Sequence, residues 1–80
     1  MPSNVVFAAV SNPERRRILD MLRESEMTAG GLGAALPGLA QPAVSRHLRA
    51  LREAGLVSVS PMGQQRVYAP APGGLKELDA

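Results

Sequence analysis

The residues best equipped for chemistry in this sequence are hydrogen-bonding and cationic, and they cluster. Gln41, Pro42, Ser45, Arg46, Arg49 and Arg52 fall within one stretch, followed at a short distance by Arg66. A glutamine amide can make paired hydrogen bonds to adenine, an arginine guanidinium can pair with guanine or with backbone oxygens, and a serine hydroxyl can bond a base or a phosphate. Between Gln41 and Arg66 the only carboxylate is Glu53, whereas elsewhere Arg15, Arg16, Arg17, Arg23 and Lys76 are outnumbered by acidic residues. The formal net charge is +2, so the cationic excess belongs to one third of the chain and points to an anionic partner there.

Other chemistries find no residues to carry them. The sequence has no cysteine, which excludes a disulfide framework, a thiolate nucleophile and a cysteine zinc site, and suits a reducing cytoplasm. There is no paired carboxylate in apolar surroundings, no Ser/His/acid spacing at a strained elbow and no metal-ligand set, so an enzyme is not expected. The single histidine, His47, falls beside Val44 and Leu51 in helical projection, which marks a packed, hydrogen-bonded residue at the core edge rather than a metal ligand or base contact. No cofactor is expected. The longest apolar run, Val5 to Val10, is 6 residues, far short of the roughly 20 that cross a bilayer, and no basic segment precedes it as in a secretory signal. These features predict a cytoplasmic protein with no membrane partner.

With 80 residues, the cationic cluster must be positioned by a single small domain, 1–80, packed from Leu, Val, Ile, Met and Ala, since Phe7 and Tyr68 are the only aromatics. Ser3 can cap a first helix over Asn4 to Val10. That helix is apolar on every side, which favours a dimer contact over a first helix buried within one chain. Asn12 and Pro13 then signal a second helix to about Glu24, because an asparagine side chain accepts an orphan amide and proline has none to orphan. Its inner stripe is Ile18, Met21, Leu19 and Leu22. The Arg15-Arg16-Arg17 run could touch phosphates, although a cationic run on an amphipathic helix is ordinarily a solvated face.

Thr28 can cap a third helix ending near Leu36 and burying Leu32 and Leu36. Gly30, Gly31 and Gly33 inside it each cost roughly 1 kcal/mol relative to alanine, and they do not make a dinucleotide loop, which would need glycine or alanine at Leu36 and a preceding strand. After Pro37-Gly38, a fourth helix runs from Gln41 to about Ala54 and stops at Gly55. Val44, His47, Leu48, Leu51 and Ala54 project to one side of it, and Pro42, Ser45, Arg46, Arg49 and Glu53 to the other, with Gln41 and Arg52 on the flank. Leu56 to Ser60 and Arg66 to Ala69 read as a hairpin around Pro61 to Gln65. A Pro/Gly linker and a helical stub, Leu75 to Ala80, follow.

Short helices joined by a tight turn, the last amphipathic and cationic outside, followed by a hairpin, make a mainly α winged helix-turn-helix, with 41–54 as recognition helix and 56–69 as wing. Such a helix fits the roughly 12 Å major groove. At these residues the sequence resembles the ArsR/SmtB family of bacterial dimeric transcriptional repressors. The matching segments are Ser11-Asn12-Pro13-Glu14-Arg15-Arg16-Arg17-Ile18-Leu19, the run from Gln41 to Val57, and Gly63-Gln64-Gln65-Arg66-Val67-Tyr68. The resemblance covers about residues 5 to 79. It implies a sequence-specific repressor that binds an inverted repeat of double-stranded DNA as a homodimer. Gln41, Pro42, Ser45, Arg46, Arg49 and Arg52 would then lie at the groove and Arg66 in the wing. The first and last helices would form the dimer through Val5, Val6, Phe7, Val10, Leu75 and Leu78.

The sequence departs from that family in three places. Ala40 stands where serine or threonine usually caps the recognition helix, the wing tip Met62-Gly63-Gln64-Gln65 carries no cation, and the last helix is a stub. The cysteine pairs and Asp/His/Glu sets with which many members sense metals are absent, so metal sensing is not expected. The thin wing and short tail motivate a competing reading: a winged-helix module that binds another protein, with weak DNA contact or none.

Overall fold

The computed structural model describes residues 4–71, with side chains from residue 8 onward. Two of the helices begin with a side-chain cap. Helix α1 spans Asn4–Ser11 and α2 spans Pro13–Glu24. Between them the Asn12 side-chain oxygen accepts from the amides of Glu14 at 2.8 Å and Arg15 at 3.2 Å, and Pro13 occupies the first turn. These contacts satisfy two orphan donors. Thr28 does the same for α3, Ala29–Ala35, accepting from the Gly31 amide at 3.0 Å.

The turn into α4 is tight: the Leu39 amide donates to the Leu36 carbonyl at 2.9 Å. Helix α4 spans Gln41–Glu53, and Ala40 gives it no side-chain cap, as the sequence anticipates. Its other end is well finished. Gly55 adopts a positive φ of 77°, the Leu56 amide donates to the Leu51 carbonyl at 3.0 Å and the Gly55 amide to the Arg52 carbonyl at 2.9 Å. That pair of bonds is a Schellman motif, and its usual apolar clasp is present because Leu51 and Leu56 are both buried.

The sheet has three strands rather than the two expected. Strands β2, Val57–Met62, and β3, Gln65–Pro70, form the hairpin, and β1, Met27–Thr28, pairs on the other side of β3. Two residues are too few to show alternation, so β1 exists only through its pairing of Met27 with Tyr68 and Thr28 with Val67. The hairpin is also longer than the sequence suggests, because Met62 pairs with Gln65 across the two-residue turn Gly63-Gln64. Gly63 has φ of 64° and no non-glycine residue has positive φ, the pattern of a type II′ turn. Pro61 opposes Arg66 at a position where the antiparallel alternation leaves no ladder donor to lose, on an edge strand where proline also discourages further pairing.

All of these elements close on one apolar cluster. Ile18, Leu19 and Leu22 of α2, Leu32 of α3, Leu36, Val44, Leu48 and Leu51 of α4, and Leu56 and Val57 are buried, with Ala9 joining from α1. Met21, Met27, Leu39 and Tyr68 pack at its edge. The order α1-α2-β1-α3-α4-β2-β3 is a winged helix-turn-helix. Val10 is half-buried against the core. The side chains of Val5, Val6 and Phe7, together with Ser3, Leu75, Lys76, Leu78 and the expected helical stub, lie outside the described residues.

The capping chemistry makes opposite predictions at two helices. Asn12→Ala should lower stability by about 1 kcal/mol, and Ala40→Ser should raise it by a similar or smaller amount, because Ala40 already has extended N-cap dihedrals. Thermal unfolding of both variants checks this, and a lowered Tm for Ala40→Ser would contradict it.

Candidate nucleic-acid interface

Helix α4 is amphipathic in a strict sense. Val44, Leu48 and Leu51 are at most 1% exposed, while Gln41, Pro42, Ser45, Arg46, Arg49, Arg52 and Glu53 are all exposed. The buried stripe fixes the rotation of the helix, so the outward residues have no freedom to turn inward. Arg46, Arg49 and Arg52 recur at three-residue spacing and wind from the middle of the helix toward the hairpin. The amides of the first turn, uncapped by any side chain, add partial positive charge at the end nearest Gln41.

Arg66 comes to the same side. It opposes Pro61 in the hairpin and shares its face with Val59 and Tyr68, so its exposed side chain borders a cleft of about 310 Å³ with Arg52, Val59 and Pro61. A neighbouring cleft of about 290 Å³ is bordered by Arg49, Arg52 and Glu53. Arg49 Nε lies 3.8 Å from Glu53 Oε2, with both side chains largely exposed, a pair of little energetic weight. Arg46, Arg52 and Arg66 have no carboxylate within ion-pair distance among the described residues.

Two residues are placed in ways that sequence reasoning did not reach. Gln41 Nε2 donates to the Ala29 carbonyl at 3.1 Å, and the Gln41 side-chain oxygen occupies the space that a methyl group at Gly33 would need. Gln41 is therefore spent, in this conformation, on holding α4 against α3, and paired bonding to adenine requires it to let go. The same contact gives Gly33 a purpose within a helix it otherwise weakens.

His47 is tied to α2 at both ring nitrogens. Arg15 Nε donates to its Nδ1 at 3.1 Å, and its Nε2 lies 3.2 Å from Glu14 Oε2. A guanidinium only donates, so Nδ1 must accept and the ring proton sits on Nε2, directed at Glu14. With a side chain only 12% exposed, His47 is the core-edge residue its projection suggests. Its partners were not foreseeable, since 33 and 32 residues separate them in sequence. Among the described residues no group of three His, Asp or Glu side chains is arranged to hold a metal ion.

Comparison with known proteins agrees with this arrangement. Residues 12–59 match the model of the bacterial regulatory protein, arsR family. The transcriptional repressor SdpR of Bacillus subtilis is 39% identical over 66 residues, covering 82% of this chain and 72% of that protein. The transcriptional activator HlyU of Vibrio cholerae is 39% identical over 64 residues, covering 80% of this chain and 58% of HlyU. Among solved structures, an ArsR-like transcriptional regulator from Rhodococcus sp. RHA1 superposes with a TM-score of 0.86 at 32% identity, over 94% of this chain and 68% of that one.

The α2–α4 link is measurable as an energetic coupling. In a double-mutant cycle of Arg15→Ala and His47→Ala, unfolding should show an interaction of about 1 kcal/mol. A cycle that closes with no coupling would mean the two side chains are merely neighbours.

Proposed function

The chain belongs to the arsR family of bacterial regulatory proteins, which are transcriptional regulators and not enzymes, and from that premise we propose that it represses transcription by binding an inverted-repeat operator as a homodimer. The observation that carries the DNA reading is the exposed face of α4. It presents Ser45, Arg46, Arg49 and Arg52 on a rod whose opposite face is sealed in the core.

The roles divide by position. Pro42, Ser45 and Arg46 lie in the N-terminal half of α4, the part that reaches base edges when such a helix enters a major groove. Arg49 extends that face, and Gln41 joins it on leaving the Ala29 carbonyl. Arg52 and Arg66, sharing one cleft, suit a phosphate between recognition helix and wing. The wing tip adds Met62, which is 62% exposed, and no cation. That exposed methionine is the feature that favours the alternative of a protein-binding module. The cationic α4 face outweighs it, since a run of arginines along one exposed helix face matches the closely spaced phosphates that flank a major groove.

A homodimer suits the apolar composition of α1, and repression suits the likeness to SdpR, whose name is that of a repressor. Regulation in the opposite sense also occurs among the relatives, as the name of HlyU shows, so the sign of regulation depends on where the operator lies relative to the promoter. A cytoplasmic location follows from the partner; no helix of the described residues is long and apolar enough to cross a membrane.

A duplex selected by the protein from a random pool supplies the test. Arg46→Ala or Arg49→Ala should weaken binding to it by about 1–3 kcal/mol and relax sequence preference, if the contact is to a base. Arg66→Ala should weaken all duplexes alike and reduce the salt slope by about 1. Unchanged binding of both α4 variants, or no duplex retained at low salt, would favour the protein-binding module instead.

A further inference from the structure

The three consecutive arginines of α2 do not form one solvated face. Arg15 is half-buried and bonded to His47, and Arg16 borders a shallow depression with Val10, Leu19, Asp20 and Arg23. Arg17 points elsewhere. It borders a cleft of about 310 Å³ between α2 and the turn into α4, lined also by Glu14, Leu36, Pro37, Gly38 and Leu39. Leu36 is buried in the core and contributes little surface, so the wall opposite α2 is formed mainly by exposed Pro37 and Gly38 with half-buried Leu39. Glu14 is engaged by His47, while Arg17 has no carboxylate within ion-pair distance among the described residues. The cleft thus offers one unpaired guanidinium across from Pro37 and Leu39, at the lower end of the size range of small-molecule sites.

We propose that this cleft binds a small organic carboxylate with an apolar body, the carboxylate on Arg17 and the body on Pro37 and Leu39, and that its occupancy weakens DNA binding. Duplex phosphate is the poorer occupant. A rigid polyanion cannot turn its charge away from Glu14 or use Pro37 and Leu39, whereas a small molecule can orient to do both.

The coupling to DNA rests on the reading of α4 given above, and its route is short. Residues 37–39 lead directly into Gln41, the first residue of α4, and Glu14 at the other wall holds His47 in the middle of α4. An anion seated there places negative charge beside the helix end that meets DNA phosphates. Linkage then requires that whatever weakens DNA binding is itself bound less well by the DNA complex.

The experiment uses the full chain, with 4-methylpentanoate as probe and 4-methylpentylamine, of the same tail and opposite charge, as control. In amide NMR spectra without DNA, the carboxylate should shift Arg17, Gly38 and Leu39 saturably, and the amine should not. Arg17→Ala should abolish the shifts and Arg17→Lys should partly restore them, with unfolding temperatures unchanged because Arg17 is exposed. At saturation the carboxylate should weaken binding of the selected duplex about fivefold or more, and Arg17→Ala without ligand should bind that duplex as the unmodified chain does. The proposal is overturned by no saturable shift up to about 20 mM, by equal shifts with the amine, or by shifts that survive Arg17→Ala. It is also overturned by unaltered duplex affinity at saturation, or by an Arg17→Ala variant that binds DNA less well with a smaller salt slope, which would make Arg17 a phosphate contact. Saturable shifts in a chain that retains no duplex would support the site and reject the DNA reading.

Discussion

Burial of one stripe of α4 is the constraint on which the rest depends. Val44, Leu48 and Leu51 are inserted between α2, α3 and the hairpin so completely that the helix has a single rotational setting. Rotating it by one residue, about 100°, would bury arginine and expose leucine, at a cost far above the few kcal/mol by which a small domain is stable. The position of Ser45, Arg46 and Arg49 is thus a consequence of apolar packing on the far side of the same helix. In the proposed complex, the side chains that face DNA are aimed by buried residues on the far side of the helix.

Three polar contacts refine what packing sets. Gln41 ties the start of α4 to the Ala29 carbonyl, and His47 ties its middle to Glu14 and Arg15. The Schellman motif at Gly55 turns the chain from α4 into the hairpin that carries Arg66 beside Arg52. Each contact joins elements adjacent in space and fixes an angle that apolar contacts, being non-directional, leave loose. The start, middle and end of α4 are held by different neighbours.

What the sequence revealed and what it concealed divide along the same line. Helix starts at Asn12 and Thr28, the stop at Gly55, the buried stripe of α4 and the exposed set from Pro42 to Arg52 were legible, because each depends on residues within one or two turns of one another. Strand β1 was not, since Met27-Thr28 becomes a strand only when β3 arrives beside it. The turn Gly63-Gln64 was read too wide because Pro61 looks like a breaker until it is seen on an edge strand. The partners of Gln41 and His47 were hidden for the same reason: periodicity describes one helix at a time, and both bonds cross between helices. The division of labour within Arg15-Arg16-Arg17 was likewise invisible, because projection separates their directions but not the neighbours they meet, His47 for Arg15 and the turn into α4 for Arg17.

The central claim is that the outer face of α4 meets DNA while its inner face never leaves the core. Site-specific photocrosslinking from position 45 or 46 of α4 to a duplex selected by the protein tests it most directly. The account predicts crosslinks to bases within the selected sequence from these positions and none from position 20 on α2, which is also exposed. Crosslinks arising from position 20 or from the wing tip at Met62, with positions 45 and 46 silent, would contradict it.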